Sequence, residues 1–289
     1  NEQLSVLQNE AIDFVNHIYK RYKDKVSALV VSFSGGKDSQ VILDIVSKVI
    51  PPSDYMVIFT DTTMEIPPTY ETFQKTKELY KSEYPDLKFY TARNWKPAEE
   101  TWKEFGPPSR MLRWCCSVHK SAPMIRLVRD LVGKTNNVRI VVFDGVREEE
   151  STRRKSYSRL AENVKHFTQV NAEVIRHWST TEVYLYIMAK GLPLNNAYRL
   201  GLDRVGCSVC PFSSKWTEYL VRNGYPSIDT FVSEIELSVE RLGVPQKEIK
   251  QYVSDGNWKK RGGGEGVDTG STRLDIVQES PSLVKFVLS

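Results

Sequence analysis

The stretch Ala28-Leu29-Val30-Val31-Ser32-Phe33-Ser34-Gly35-Gly36-Lys37-Asp38-Ser39 decides the fold. Its first six residues are almost continuously apolar, the pattern of a strand buried on both faces of a parallel sheet. A polar turn follows, and then an apolar helix from about Gln40 to Ile50 that Pro51-Pro52 stops. Gly35 and Gly36 let the backbone turn tightly and aim its N–H groups inward. With a helix N-terminus behind them, these donors make an anion site. Lys37 adds charge, and Ser34 and Ser39 add hydroxyl donors. Neither G-x-x-x-x-G-K-[ST] nor GxGxxG is present, so two common phosphate loops are excluded. A plain Gly-Gly turn is the bland alternative. The position at a buried strand end, where a switch-point crevice needs its ligands, argues against it.

Outward from this loop, Leu4, Leu7, Ile12, Val15, Ile18 and Tyr19 predict a helix over 4–24. Tyr55 to Thr60 reads as a strand ending in Asp61-Thr62-Thr63. Pro67-Pro68 opens a helix reaching about Tyr84, and Leu87 to Thr91 is a short strand. Asn94 to Trp114 reads as an irregular loop, Val118 to Val132 as a helix and Val138 to Phe143 as a strand. That strand ends in Asp144-Gly145-Val146-Arg147, with Ser151 and Arg154 beyond. Alternating strands and helices predict an α/β fold, a parallel twisted sheet flanked by helices. Ile228 to Val253 adds a small helical C-terminal appendage. The expected division is 1–220 for the main domain, 221–260 for the appendage, and 261–289 for a glycine-rich linker and tail. Asp61, at a strand end, suits Mg²⁺ or a ribose hydroxyl, or else caps a turn. Arg147 and Arg154 suit bidentate phosphate contacts, or else pair with Glu148 to Glu150.

Hydrophobic residues make up 40% and charged residues 26%, as in ordinary globular chains, and the formal net charge of +4 is too small to argue for nucleic acid by itself. Local clusters at Arg153–Arg154–Lys155 and Lys259–Lys260–Arg261 can still meet phosphates. No apolar run approaches a bilayer span, and Asn1 to Lys20 lacks the apolar core of a signal peptide. A cytoplasmic protein without a membrane partner is expected. The opening on Asn1 without Met points to trimming or to a piece of a longer chain.

The four cysteines are Cys115, Cys116, Cys207 and Cys210. Without a secretory signal disulfides are disfavoured, and vicinal cysteines bridge each other poorly. Four thiolates from two loops suit Zn²⁺ or a [4Fe–4S] cluster, and free buried thiols are the third reading. A vicinal pair plus one C-x-x-C suits the asymmetric cluster better than zinc, with Arg113, His119 and Lys120 placed to offset thiolate charge. His119 either adds a ligand or packs on the helix start. His17, His166 and His177 read as structural.

Ser34-Gly35-Gly36-Lys37-Asp38-Ser39 resembles the signature of the PP-loop ATP pyrophosphatase superfamily. From about Ala28 to Lys215 the chain is similar to the adenylyl-sulfate (APS) and phosphoadenylyl-sulfate (PAPS) reductases. Phe59-Thr60-Asp61-Thr62 is similar to their Asp-Thr-Gly strand end. Cys115-Cys116-Ser117-Val118-His119-Lys120 with Pro123 resembles their Cys-Cys-x-x-x-Lys-x-x-Pro. Gly145, Arg147, Ser151 and Arg154 match a nucleotide-binding Gly-x-Arg-x-x-x-Ser-x-x-Arg. Trp178, Val183, Ile187 and Gly191-Leu192-Pro193-Leu194-Asn195 resemble the helix and turn before the second cysteine pair, here Cys207-Ser208-Val209-Cys210.

The resemblance implies an adenine nucleotide alpha hydrolase-like fold and a [4Fe–4S] cluster on the four cysteines. It implies ATP or a sulfonucleotide, with Mg²⁺, held by Ser34, Gly35, Gly36, Lys37, Ser39, Asp61, Thr62, Gly145, Arg147, Ser151 and Arg154. Lys37, Asp38 and Asp61 would take the catalytic roles. The reductases also carry a nucleophilic cysteine in a Glu-Cys-Gly tail, and no cysteine follows Cys210. The chain is similar as well to the subunit of DNA phosphorothioation systems that keeps loop and cluster without that tail. The expectation is therefore an ATP pyrophosphatase that adenylates an acceptor for sulfur transfer. It would draw sulfur from a donor such as a cysteine desulfurase and act on DNA or another nucleic acid. Sulfonucleotide reduction and a regulatory nucleotide-binding role without turnover are the alternatives.

Overall fold

The computed structural model describes residues 2–133, 138–150, 152–156, 158–162, 168–213, 215–224 and 226–260. The first half carries α1 (Glu2–Tyr22), β1 (Ala28–Phe33), α2 (Lys37–Ser47), β2 (Met56–Asp61), α3 (Pro67–Glu83), β3 (Lys88–Arg93) and α4 (Ala98–Phe105). Next come α5 (Trp114–Cys116), a π-helical turn at Ser117–Ser121, α6 (Ala122–Val132), β4 (Ile140–Asp144), α7 (Thr152–Lys155), β5 (Leu160–Glu162) and β6 (Gln169–Glu173). The last helices are α8 (Thr180–Lys190), α9 (Trp216–Arg222), α10 (Asp229–Arg241) and α11 (Gln246–Ser254). None of the described helices is long and apolar enough to cross a membrane.

The chain divides into two compact units. The first comprises the stretch up to Thr60, Pro67–Ala92 and Met124–Val205; the second comprises Asp61–Ile66, Arg93–Pro123 and Gly206 onward. This division runs along different lines from 1–220 and 221–260, because the cysteine loops go with the C-terminal helices.

The sheet has the order β3-β2-β1-β4-β6-β5. β2, β1, β4 and β6 pair in parallel, and β5 returns antiparallel to β6. Val31 stands opposite Val57 on one side and Phe143 on the other. Alternate strand residues feed two apolar layers, as the period of 2 requires. Val31, Phe33, Val57, Phe59, Val141 and Phe143 pack with α1, α2 and α8, while Val30, Ile58, Ile140 and Val142 pack with Met124 and Val128 of α6. Strand order reverses between β1 and β4, so a crevice opens beyond their carboxyl ends.

Two local expectations are corrected. Asn94 to Trp114 is not all loop, since Pro97 opens α4 and Gly106, at φ 72, closes it. Ala98, Thr101 and Trp102 give α4 its buried stripe. The helical stretch expected from Val118 begins earlier, with the cysteine pair inside it, because Trp114 is buried and anchors the first turn. The helical stretch expected over Ile228 to Val253 is present as two helices, separated at Gly243 with φ 81.

In the second unit Trp102 meets Phe231 edge-on at 4.9 Å, and Phe105 meets Trp114 at 5.2 Å. Lys259, only 1% exposed, donates to both Glu218 oxygens at 2.8 and 2.7 Å and to Ser213 Oγ at 2.9 Å. Its carbonyl accepts the Arg110 N–H at 3.2 Å. Lys259 is thus a buried ion-pair partner, not the phosphate contact its basic run allowed. Arg261 and the rest of 261–289 lie outside the described residues.

Candidate functional site

β1 delivers the loop Ser34–Ser39 to the sheet edge, and Gly36 is the N-cap of α2. Gly35 takes φ +70, and a Cβ there would stand 3.0 Å from Thr69 Cγ2 and 3.2 Å from Thr69 O. Asn195 pins this turn by donating to the Gly35 carbonyl at 3.1 Å. Tyr198 Oη accepts the Lys37 N–H at 3.0 Å, and the Lys37 ammonium lies 5.4 Å from the Tyr198 ring centre. Burial pushes the Tyr198 phenol well above its ordinary range, so it stays neutral. Ser39 Oγ donates to the Gly36 carbonyl at 2.8 Å and lies 3.3 Å from Ser34 Oγ.

β4 brings Asp144 and Gly145 alongside. Asp144 accepts from Asn171 Nδ2 at 2.7 Å and from the Val146 N–H at 3.4 Å. Gly145 lets α2 approach, for a Cβ there would meet Asp38 Cβ at 2.9 Å and Ile42 Cδ1 at 3.1 Å. Asp38 bridges Lys37 at 3.1 Å and Arg147 Nε at 2.7 Å. Arg147, 2% exposed, spends its other donors on Glu149 at 2.7 Å, the Trp178 carbonyl at 3.1 Å and Thr180 Oγ1 at 3.1 Å. It holds Asp38 in place from behind the loop.

The result is a crevice of about 190 Å³, lined by Ser34, Gly36, Lys37, Asp38 and Ser39 from the loop and by Asp144 and Gly145 from β4. Glu150, Arg154, Tyr198 and Arg204 complete the polar lining. Main-chain turns, an ammonium and two guanidiniums around such a volume suit a phosphate chain. Ser151 and His166 lie outside the described residues.

Asp61 and Thr62 belong to the second unit. Asp61, 1% exposed, accepts from Arg93 Nε at 2.9 Å and from the Thr63 N–H at 2.8 Å. Thr63 is a β-branched residue at φ 61, a strained backbone position, and its hydroxyl accepts the Ala98 N–H at 2.7 Å to start α4. Thr62 Oγ1 donates to Glu65 at 2.9 Å and lies 3.4 Å from Cys207 Sγ. Glu65 and Cys207 form a β-bridge, and Ser208 N donates to Met64 O at 2.7 Å.

All four cysteines lie in this unit with free thiols, and Cys115 feels the charges of Cys116, Cys207 and Cys210. A hydrogen bond from Cys115, helped by Lys120 and Arg113, pulls the Cys116 thiol down to about 5, while Cys115 is pushed up. Burial pushes Cys207 up to about 12. The charges of Cys207, Glu65, Cys116 and Cys210 together raise the Lys120 ammonium. Among the described residues no three His, Cys, Asp or Glu side chains stand in metal-ligating positions. The thiols instead bond to each other and toward Thr62 and Glu65. The donor chemistry nonetheless fits a four-thiolate centre: four gathered thiols, a cationic Lys120, and Arg113 Nη2 at 3.8 Å from Cys116 Sγ. His119 is buried. Its Nε2 lies 2.8 Å from Thr101 Oγ1, and its Nδ1 has no partner among the described residues.

A family model described as the phosphoadenosine phosphosulfate reductase domain matches residues 28–213. The chain belongs to this family. Adenosine 5'-phosphosulfate reductase of Geobacillus kaustophilus is 28% identical over 202 residues, covering 69% of this chain and 78% of the relative. An uncharacterized protein of Methanocaldococcus jannaschii is 30% identical over 224 residues, 76% of this chain. The match spans only 43% of that relative's length. Among solved structures, Candida glabrata FMN adenylyltransferase in complex with FAD and inorganic pyrophosphate aligns with TM-score 0.51 at 13% identity. That alignment covers 71% of this chain and 64% of the other, and the likeness is one of fold. The PP-loop, the α/β sheet and a sulfonucleotide-related family thus agree with the sequence reading.

This PAPS reductase-family crevice also uses residues that the sequence reading did not assign to it: Asn195, Tyr198, Arg204 and Glu150. Asn195 was noticed only as part of a family segment. Tyr198 and Arg204 stand more than 150 positions from the loop, and no local spacing marks them.

Proposed function

We propose that this chain is a PP-loop enzyme that activates an acceptor with ATP for sulfur transfer. The observation that carries the reading is the crevice at the switch point, where Lys37, Arg154 and Arg204 surround a phosphate-sized cavity beside the loop. ATP would lay its pyrophosphate end on the loop, with Mg²⁺ and Lys37 offsetting charge. An acceptor oxygen attacks the α-phosphorus, the bond to the bridging oxygen breaks, and pyrophosphate leaves. A sulfur nucleophile then displaces AMP from the adenylated acceptor. Lys37 stabilises the charge that builds on the leaving pyrophosphate, and Asp38, held by Arg147, fixes the lysine's position. Cys115, Cys116, Cys207 and Cys210 would hold a [4Fe–4S] cluster, which supplies a thiophilic iron centre when bound. A cysteine desulfurase as sulfur donor, with a thiol that cleaves its persulfide S–S bond and is oxidised to a disulfide, and a nucleic acid as acceptor fit this chemistry.

A second reading, sulfonucleotide reduction, is favoured by the APS reductase relatives. It requires a thiol nucleophile to attack the sulfonucleotide sulfur.

The test is pyrophosphate release from ATP with Mg²⁺ by anaerobically purified protein. Wild type should release it, and Lys37→Ala should lose at least about tenfold in rate, as loss of a charged transition-state donor does. No release from ATP, with sulfite appearing from APS or PAPS, would replace the first reading by the second. Iron and visible absorption should accompany the four cysteines; stoichiometric zinc without iron would sink the cluster.

A further inference from the structure

Glu150 stands in the crevice wall with its side chain 12% exposed. Arg204 Nη2 lies 3.1 Å from its Oε1, while Oε2 accepts the Arg147 main-chain N–H at 3.1 Å and pairs with Arg154 Nη1. Two guanidiniums and a backbone N–H converging on one carboxylate are the donors that a phosphate group takes. The charged lining consists of Lys37, Arg154 and Arg204 against Asp38, Asp144 and Glu150, so it is neutral as a whole. Asp38 is committed to Lys37 and Arg147, and Asp144 to Asn171 and the Val146 N–H. Glu150 is the carboxylate that holds the two rim arginines.

We infer that Glu150 is a specificity-determining residue, a built-in competitor that an entering phosphate must displace from Arg154 and Arg204. The inference rests on the nucleotide reading of the crevice. Its chemical content is a threshold. A dianionic phosphoryl group outbids a carboxylate for two guanidiniums, because it brings more charge and more acceptor oxygens. A singly charged group does not. The crevice therefore selects ligands ending in a multiply charged phosphate.

A structural role for Glu150 predicts the opposite sign. If the carboxylate served to orient the arginines for the ligand, removing its charge would weaken binding. The two cases separate in a titration of the full chain with inorganic pyrophosphate, followed by calorimetry. Glu150→Gln keeps an oxygen for the Arg147 N–H and removes the carboxylate charge from both guanidiniums. Pyrophosphate should then bind about tenfold more tightly than to wild type, the size expected for releasing charge-assisted bonds near a partly exposed surface. Glu148→Gln removes the same charge from Arg176 and His177, outside the crevice lining, and should leave affinity unchanged. Adding Arg204→Gln to Glu150→Gln should erase most of the gain. Binding by wild type and Glu148→Gln with equal or weaker binding by Glu150→Gln overturns the inference and leaves the nucleotide reading standing. No binding by any of the variants overturns both.

Discussion

Replacing Gly145 by alanine tests the geometry of the crevice most directly. The added Cβ would stand 2.9 Å from Asp38 Cβ, 3.1 Å from Ile42 Cδ1 and 3.4 Å from the Asp38 carbonyl carbon. The closest atom belongs to the first turn of α2, not to the far end of a flexible chain, so the helix or β4 must shift. Overpacking of this kind costs about 1–3 kcal/mol. Because Gly145 does not need a left-handed backbone, alanine also restricts the unfolded chain and returns about 0.4–1 kcal/mol. A net loss of about 1–2 kcal/mol follows, and the melting temperature should fall by about 3–6 °C. The function should suffer more than stability, because Asp38 moves against Arg147, its partner at 2.7 Å, and carries Lys37 with it. ATP affinity should drop about tenfold, the usual cost of disturbing a charge-assisted contact. Ile42→Val removes the second clashing atom. In the double variant the two losses should therefore sum to less than their separate values, by about 0.5–1 kcal/mol. Thermal unfolding and ATP titration of the four proteins read both effects. A Gly145→Ala protein with wild-type melting temperature and ATP affinity would refute the close-approach argument.

Lys259→Met should cost about 2–3 kcal/mol in urea unfolding, since it leaves the partly buried Glu218 carboxylate without its cation. Adding Glu218→Gln should recover much of that loss; no recovery would show that the ion pair is not the cause. His119 is held down to about 4 by burial, against an ordinary value of 6.5. Its folded pKa is depressed, so the unfolded chain takes up a proton first. The stability it contributes is full above pH 6.5 and is lost as pH falls toward 4. The loss amounts to about 3 kcal/mol. His119→Gln keeps a partner for Thr101 and should flatten that part of the stability curve, measured as urea midpoint against pH.

The loop and the strand that carries it were legible because one short segment held every signal: apolar residues, then glycines, then a helix. β4 was legible for the same reason. β6 was not, since Gln169, Asn171 and Glu173 are polar residues buried in the sheet, with Asn171 donating to Asp144 and Glu173 paired with Arg176. Periodicity treats such a segment as surface. α4 was hidden by Pro107-Pro108 and a run of charges, although its buried stripe is carried by Trp102. For Arg147 the sequence left open a phosphate contact or a pair with Glu148 to Glu150, and its buried position commits the guanidinium to Asp38, Glu149, Trp178 and Thr180. Tyr198 and Arg204 reach the crevice through tertiary folding alone.

The interleaved order of the two units sets a timetable for synthesis. The last stretch of the first unit ends at Val205, so that unit can close while the chain is still growing. The second unit waits for the turn at Asn257–Lys260, whose Lys259 ties Arg110 and Ser213 and so fixes both cysteine loops. At translation speeds of about 5–20 residues per second, the intervening ~55 residues take roughly 3–11 seconds. Throughout that interval Cys115 and Cys116 are already outside the ribosome as thiols without their final partners. A ligand that needs the thiols of both loops can therefore bind only once the final turn has docked.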